Sequence, residues 1–167
     1  MKKINTLIVG LGNIGLNYDL KNNSSNVFLT HCKSLKKNKF FQVIGGIDNS
    51  KVQGLKFKKK YNLKFYNSID NFIKFNKKKI DLAVIATSTN NRFKIIKNVS
   101  RLCPKVILVE KPLSYKISES KKILNFCKKK KIKLFINYQR ISDVSILDIK
   151  KKINKKKFKV PVEGVAI

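Results

Sequence analysis

Gly10-Leu11-Gly12-Asn13-Ile14-Gly15 forms a G-x-G-x-x-G pattern directly after the apolar run Leu7-Ile8-Val9. A parallel strand that stops at glycines can turn sharply and bring backbone N–H groups against a pyrophosphate. The chain has only seven glycines, and three fall within these six residues. The same pattern also occurs in tight strand-to-helix turns that bind nothing, so it needs support from elsewhere. Asp48 gives some: it closes the run Val43-Ile44-Gly45-Gly46-Ile47-Asp48, where an acid accepts bonds from the adenosine ribose hydroxyls. A carboxylate there repels a 2′-phosphate, which favours NAD over NADP; neighbouring Lys51 moderates that preference. Glu110-Lys111-Pro112 follows a later apolar run. An ammonium at such a strand end can bind a sugar hydroxyl or polarise one being oxidised, so Lys111 is the candidate catalytic residue. Pro112 can fix a turn there, with a cis bond as one option.

One spacing departs from the dinucleotide pattern. Asp48 lies 33 residues beyond Gly15, where about 20 is usual. The polar segment from Leu16 to Asn26 accounts for the excess, as an insertion between the glycine turn and most of the first helix. It is expected at the mouth of the cofactor site. Tyr18 and Asp19 there either touch cofactor or substrate or belong to a solvated surface loop.

The elements that would position these residues alternate. Strands are expected at about 6–9, 42–47, 64–66, 82–86, 106–109 and 133–136. The fourth, Leu82-Ala83-Val84-Ile85-Ala86, is wholly apolar, as a strand buried on both faces should be. Helices are expected from about Thr30, after Ser50 with Val52, Leu55 and Tyr61 on one side, and after Ser68 with Ile69, Phe72, Ile73 and Phe75. Two more are expected over Asn91 to Val99 and from Ser118, a possible cap, to Lys129. A last helix starts at Ser142 or Asp143 and runs to about Lys152, and a strand region opens near Lys159-Val160. The fold class is α/β, a doubly wound parallel sheet with right-handed crossovers.

Composition sets bounds. A chain of 167 residues with 43% hydrophobic content fits one domain with a real core. No apolar run approaches a membrane span, and no secretory signal is present, so a soluble cytoplasmic protein is expected. Cys32, Cys103 and Cys127 are isolated and odd in number, with no histidine cluster, which suits reduced thiols and no metal. The net charge of +30 comes from 39 basic residues of which only Arg92, Arg101 and Arg140 are arginine. Nucleic-acid binding is one reading. Against it, the lysines run along the whole chain and arginine, the bidentate reader, is scarce. Abundant Asn and Ile with scarce Ala suggest A/T-rich codon bias instead.

The ordered set of motifs resembles a known family, the glucose–fructose oxidoreductase, inositol dehydrogenase and rhizopine-catabolism group (Gfo/Idh/MocA). The resemblance rests on the glycine turn, the helix start at His31 to Leu35, Gly46-Ile47-Asp48, Ala86-Thr87-Ser88-Thr89-Asn90, Glu110-Lys111-Pro112-Leu113 and Asn137-Tyr138-Gln139-Arg140. It covers about Lys3 to Arg140. Gly-Asn-Ile-Gly with Tyr18-Asp19 and Thr30-His31 also resembles a sub-branch found with surface-polysaccharide genes.

The resemblance implies an N-terminal Rossmann domain, residues 1–140, that binds NAD(P) through Gly10, Leu11, Gly12, Asn13, Ile14, Gly15 and Asp48. Ala86, Thr87, Ser88 and Asn90 would line the dinucleotide, and Glu110 would orient the nicotinamide end. Lys111 would contact substrate and nicotinamide ribose, with Arg140 and Tyr138 near the nicotinamide. Residues 141–167 would begin a substrate and oligomerisation domain. The usual acid/base histidine lies in that second domain, whereas the single histidine here, His31, reads as a helix-start or packing residue.

The expectation is therefore a C-terminally truncated piece of an NAD-dependent sugar or nucleotide-sugar dehydrogenase, incomplete for catalysis alone and homo-oligomeric at full length. The alternatives are a basic module for nucleic acid or another polyanion and an NAD-sensing accessory subunit. A methyltransferase also uses a glycine loop but fits Glu-Lys-Pro poorly.

Overall fold

The alternating pattern folds as one parallel sheet. The structure, a computed structural model, describes residues 2–22, 24, 26–139 and 143–155. Chain contacts divide it into residues 1–137 and 138–167. In the first unit, β1 (Ile4–Val9), β2 (Phe41–Ile47), β3 (Phe65–Tyr66), β4 (Leu82–Ile85), β5 (Val106–Glu110) and β6 (Lys133–Asn137) lie in the order β3-β2-β1-β4-β5-β6. Every pairing is parallel. The strand order reverses between β1 and β4, so a crevice opens beyond their carboxyl ends, where open α/β sheets take ligands.

Period-two alternation sends successive strand residues to opposite faces. Leu7 and Val9 join one core with Ile85, Ile107 and Val109, while Ile8 joins the other with Val43 and Val84. Helices α1 (His31–Lys37) and α2 (Lys51–Tyr61) cover the second core through Cys32, Leu35 and Phe57. Helices α3 (Ile69–Phe75), α4 (Arg92–Ser100) and α5 (Ile117–Lys129) cover the first through Phe72, Ile96, Val99 and Ile123. This is the expected doubly wound fold.

The side chains of Thr30, Ser50 and Ser68 each accept a backbone N–H from the first turn of α1, α2 and α3. Three expectations need correction. The inner side of α2 is Gly54 and Phe57, whereas Val52 and Leu55 are exposed. The Phe65 ring of β3 occupies the space a Cβ on Gly54 would fill, and this close approach selects which side of α2 faces in. In α3, Phe72 is buried but Ile73, about 100° further round the helix, and Phe75, its last residue, are exposed. Helix α5 begins with Lys116 in the cap position and no side-chain cap, so Ser118 lies inside the helix.

The lysine runs also find a place. Lys36 and Lys37, Lys58 to Lys60, Lys74, Lys97, and Lys128 and Lys129 occupy the last turns of α1 to α5. In a parallel α/β sheet those turns lie at the edge where strands begin, opposite the ligand edge. Cations there meet the negative ends of the helix dipoles.

In the second unit, α6 (Val144–Asn154) starts from Asp143, whose side chain accepts the Ser145 N–H. None of its residues is buried, although Ile146, Leu147, Ile149 and Ile153 are apolar. The strand expected near Lys159-Val160 lies outside the described residues. Among the described residues, no helix is long and apolar enough to cross a membrane.

Replacing Gly54 by alanine should improve helix propensity by about 1 kcal/mol. It should lose about 1–3 kcal/mol to overpacking against the Phe65 ring, whose nearest atom would lie 2.0 Å from the new Cβ. The expected net effect is a lower melting temperature, changing sign when Gly54→Ala is made in a Phe65→Ala background.

Candidate functional site

The glycine turn is held by contacts that permit no side chain at two of its three glycines. Gly10 has φ +96°, and a Cβ on it would lie 2.7 Å from the Ala86 carbonyl carbon and the Thr87 nitrogen. A Cβ on Gly15 would lie 2.2 Å from the Gly10 carbonyl oxygen. Gly12 differs: nothing lies within 4 Å of where its Cβ would stand. The fold thus requires Gly10 and Gly15, but no protein neighbour crowds Gly12. The space beside Gly12 is where a bulky group could approach the backbone. Leu16 N donates to Gly12 O at 2.8 Å, which closes residues 12–16 into one helical turn ahead of α1. First-turn N–H groups have no partner within the helix and attract anions. The residues present therefore fit a dinucleotide pyrophosphate.

The insertion is spliced into that helix. Asn17 N and Tyr18 N reach back five residues, to Gly12 O and Asn13 O, as the chain leaves the helical path. It returns with His31 N donating to Ile14 O and Cys32 N to Gly15 O, both at 3.1 Å. These two bonds step over 17 residues where a continuous helix steps over 4, so the detour adds 13. Without those 13, the 33 residues from Gly15 to Asp48 become the usual ~20.

Asp19 closes the detour. It is 1% exposed and accepts Leu29 N, Thr30 Oγ1 and Asn22 Nδ2, with Lys33 Nζ 3.5 Å away. Burial pushes its carboxyl up, but the bonds from Thr30, Leu29 and Asn22 outweigh it and hold the pKa below 3.8. The expectation that Asp19 touches a ligand is corrected: its oxygens serve the loop itself. Nor is the segment merely solvated, since Leu16 and Thr30 are buried; Tyr18 is exposed.

The other expected residues gather at the same edge. Asp48 accepts Leu11 N at 2.7 Å on one oxygen and Ser50 N at 2.8 Å on the other. It ties the glycine turn to the start of α2 and keeps a lone pair on each oxygen for a ribose hydroxyl. Ala86 is buried behind Gly10, with Thr87 half-buried and Ser88, Asn90 and Asn13 exposed. Lys111 is exposed and joined to Pro112 by a cis bond. Arg140 lies outside the described residues.

Two partners of Glu110 were not legible beforehand. His31 Nε2 lies 2.7 Å from Glu110 Oε1, and Asn137 Nδ2 donates to the same oxygen. Burial pushes the Glu110 carboxyl up, but the His31 and Asn137 bonds, the His31 charge and the Lys111 amide hold it below 4.5. The carboxylate is therefore ionised at neutral pH and can only accept, so the imidazole donates from Nε2. Arg92, 1% exposed, donates to the carbonyls of Glu110, Pro112, Thr87 and Ser88. One guanidinium thus joins the loops after β4 and β5. Arg92 is one of three arginines among 39 basic residues, and nothing in the sequence told it from the other two.

The fold and this edge define a dinucleotide-binding α/β domain. The chain belongs to the oxidoreductase family with an NAD-binding Rossmann fold, whose description matches residues 4–138. No match was found among curated proteins. Among solved structures, it is similar to a scyllo-inositol dehydrogenase from Lactobacillus casei with bound NAD(H) and scyllo-inositol. That likeness has 17% identity and TM-score 0.76, covering 93% of this chain and 42% of that one. It is also similar to the WlbA dehydrogenase from Bordetella pertussis in complex with NADH and UDP-GlcNAcA, with 16% identity, TM-score 0.75, and 94% and 43% coverage. At such identities the likeness is one of fold. The chain spans about 42% of the length of the solved structures it matches.

Gly15→Ala should destabilise the fold by about 3 kcal/mol or more, from the clash with the Gly10 carbonyl, whereas Gly12→Ala should melt like wild type. Arg92→Lys should lose about 2–3 kcal/mol by calorimetry, because a point ammonium cannot serve carbonyls on two loops and leaves some unsatisfied. Acid should unfold the chain in a defined window. A carboxyl whose folded pKa is depressed stabilises fully above its unfolded value and loses that contribution as pH falls through the folded one. For Glu110 the loss begins below about 4.5, so Glu110→Gln should show a flatter fall of melting temperature below that pH than wild type.

Proposed function

We propose that this chain is the NAD-binding part of a dehydrogenase that moves hydride between nicotinamide and a hydroxyl of a sugar or nucleotide sugar. One observation carries the reading: the contrast between two glycines compelled by packing and Gly12, which faces open space above a helix's first turn. A fold that bound nothing there would have no use for a glycine at that position. Family membership and the NAD(H), scyllo-inositol and UDP-GlcNAcA named with the similar structures support the substrate class.

Bound NAD supplies the hydride acceptor. The chain supplies placement and field. The N–H groups of residues 12–14 face the pyrophosphate, and Asp48 accepts ribose hydroxyls. Its charge disfavours a 2′-phosphate, so NAD is the proposed cofactor rather than NADP. Thr87, Ser88 and Asn90 line the dinucleotide from the end of β4. Glu110 orients the nicotinamide end, and the exposed Lys111 ammonium meets the substrate hydroxyl and stabilises negative charge developing on its oxygen. Arg140 is proposed for the nicotinamide side on the family resemblance alone. Residues 138–167 are proposed as the start of the substrate domain, and the alcohol proton needs a base from that domain. His31 is not that base, since its Nε2 is committed to Glu110.

Calorimetric titration with NADH tests the reading. Binding is expected, lost at millimolar cofactor in Gly12→Val with the melting temperature retained. A folded wild-type chain that ignores millimolar NADH would refute it. Asp48→Asn should weaken NADH roughly tenfold and narrow its advantage over NADPH.

A further inference from the structure

We propose that His31 is a positioning residue for Lys111, acting through the Glu110 carboxylate and itself set in place by the spliced segment. The inference rests on the proposed role of Lys111.

The contacts form one line. Asp19 grips Leu29 N and Thr30 Oγ1, which fixes the residue before His31. The His31 backbone is pinned to Ile14 O, so the side chain leaves α1 at a defined place beside the glycine turn. From there Nε2 reaches Glu110, whose carboxylate also receives the Asn137 side chain. The two partners are nearly closed to water, with His31 and Glu110 side chains 11% and 10% exposed. Screening is weak there, so a charge-assisted bond is stronger than at the surface. Arg92 holds the Glu110 carbonyl from the other side. Glu110 is thus fixed at both its main chain and its side chain, and Lys111, the next residue, inherits that fixity. Its ammonium is exposed, so its direction depends on the backbone that carries it. Without His31, the carboxylate would keep Asn137 but lose its one partner from α1.

The chain has one histidine, which gives a direct probe. In 15N spectra, Nε2 of the imidazole should carry a proton in wild type, and Glu110→Gln should shift its signal. His31→Ala should move the Lys111 backbone amide resonance while the amides of α3 stay in place. It should weaken NADH binding roughly tenfold, the loss of one charge-assisted bond. His31→Gln, which keeps a donor, should recover part of that affinity. His31→Ala and Glu110→Gln should be non-additive for NADH affinity, because they break the same contact. An unmoved Lys111 amide, or unchanged NADH affinity in His31→Ala, overturns the positioning role while leaving NADH binding by wild type intact. A wild type that fails to bind NADH overturns the functional reading and this one with it. If His31→Ala unfolds, the imidazole and amide shifts in Glu110→Gln and Asn137→Ala decide the matter.

Discussion

The site depends on one close approach of backbone to backbone. The Gly10 carbonyl, the alpha carbon of Gly15 and the Ala86–Thr87 peptide meet where no Cβ fits. Gly10 N also reaches Ile47 O, and Ala86 N reaches Val9 O. Three strand ends are thereby joined at the point where the strand order reverses. If any of these atoms moved out by the width of a methyl group, the first helical turn would leave the crevice and its N–H groups would face elsewhere. The dinucleotide edge is a consequence of that contact before it is a consequence of any side chain.

The second half of the edge is built differently. Beyond β4 and β5 there is no glycine turn to force the chain, and side chains do the joining. Arg92 gathers carbonyls from both loops, and Glu110 gathers donors from α1 and from β6. A buried guanidinium without a carboxylate partner is tolerable only because several carbonyl dipoles replace its water. The two halves differ in tolerance: the first fails by steric overlap, the second by leaving polar groups unpaired.

Much of this could be read in advance. The strands declared themselves by apolar runs, and the capping residues Thr30, Ser50 and Ser68 marked helix starts. The ends of β1, β2 and β5 carried the glycines, Asp48 and Glu-Lys-Pro. What could not be read had physical causes. In α2, Val52 and Leu55 present an apolar pair at helical spacing, but burial goes to Gly54 and Phe57, because the deciding feature is an absence of side chain opposite Phe65. Arg92 was one of three arginines, and nothing in the sequence told it from Arg101 or Arg140. His31 and Glu110 are separated by 79 residues, and only the tertiary fold shows that they touch. The sequence leaves Asp19 between ligand contact and a solvated loop, because an acid beside a cofactor mouth and an acid closing a loop are the same letter.

The splice in the first helix has a consequence for how such a domain tolerates change in length. The chain leaves after one turn and returns with the next two carbonyls still served, His31 on Ile14 and Cys32 on Gly15. The helix keeps its phase across the interruption, so Cys32 and Leu35 still meet the sheet as though nothing had been added. An inserted segment at this point needs only to bring its two ends one helical step apart. Its interior can vary in size as long as it supplies a grip on the returning end, as Asp19 does on Leu29 and Thr30, and it then acts as a replaceable cassette at the rim of the crevice.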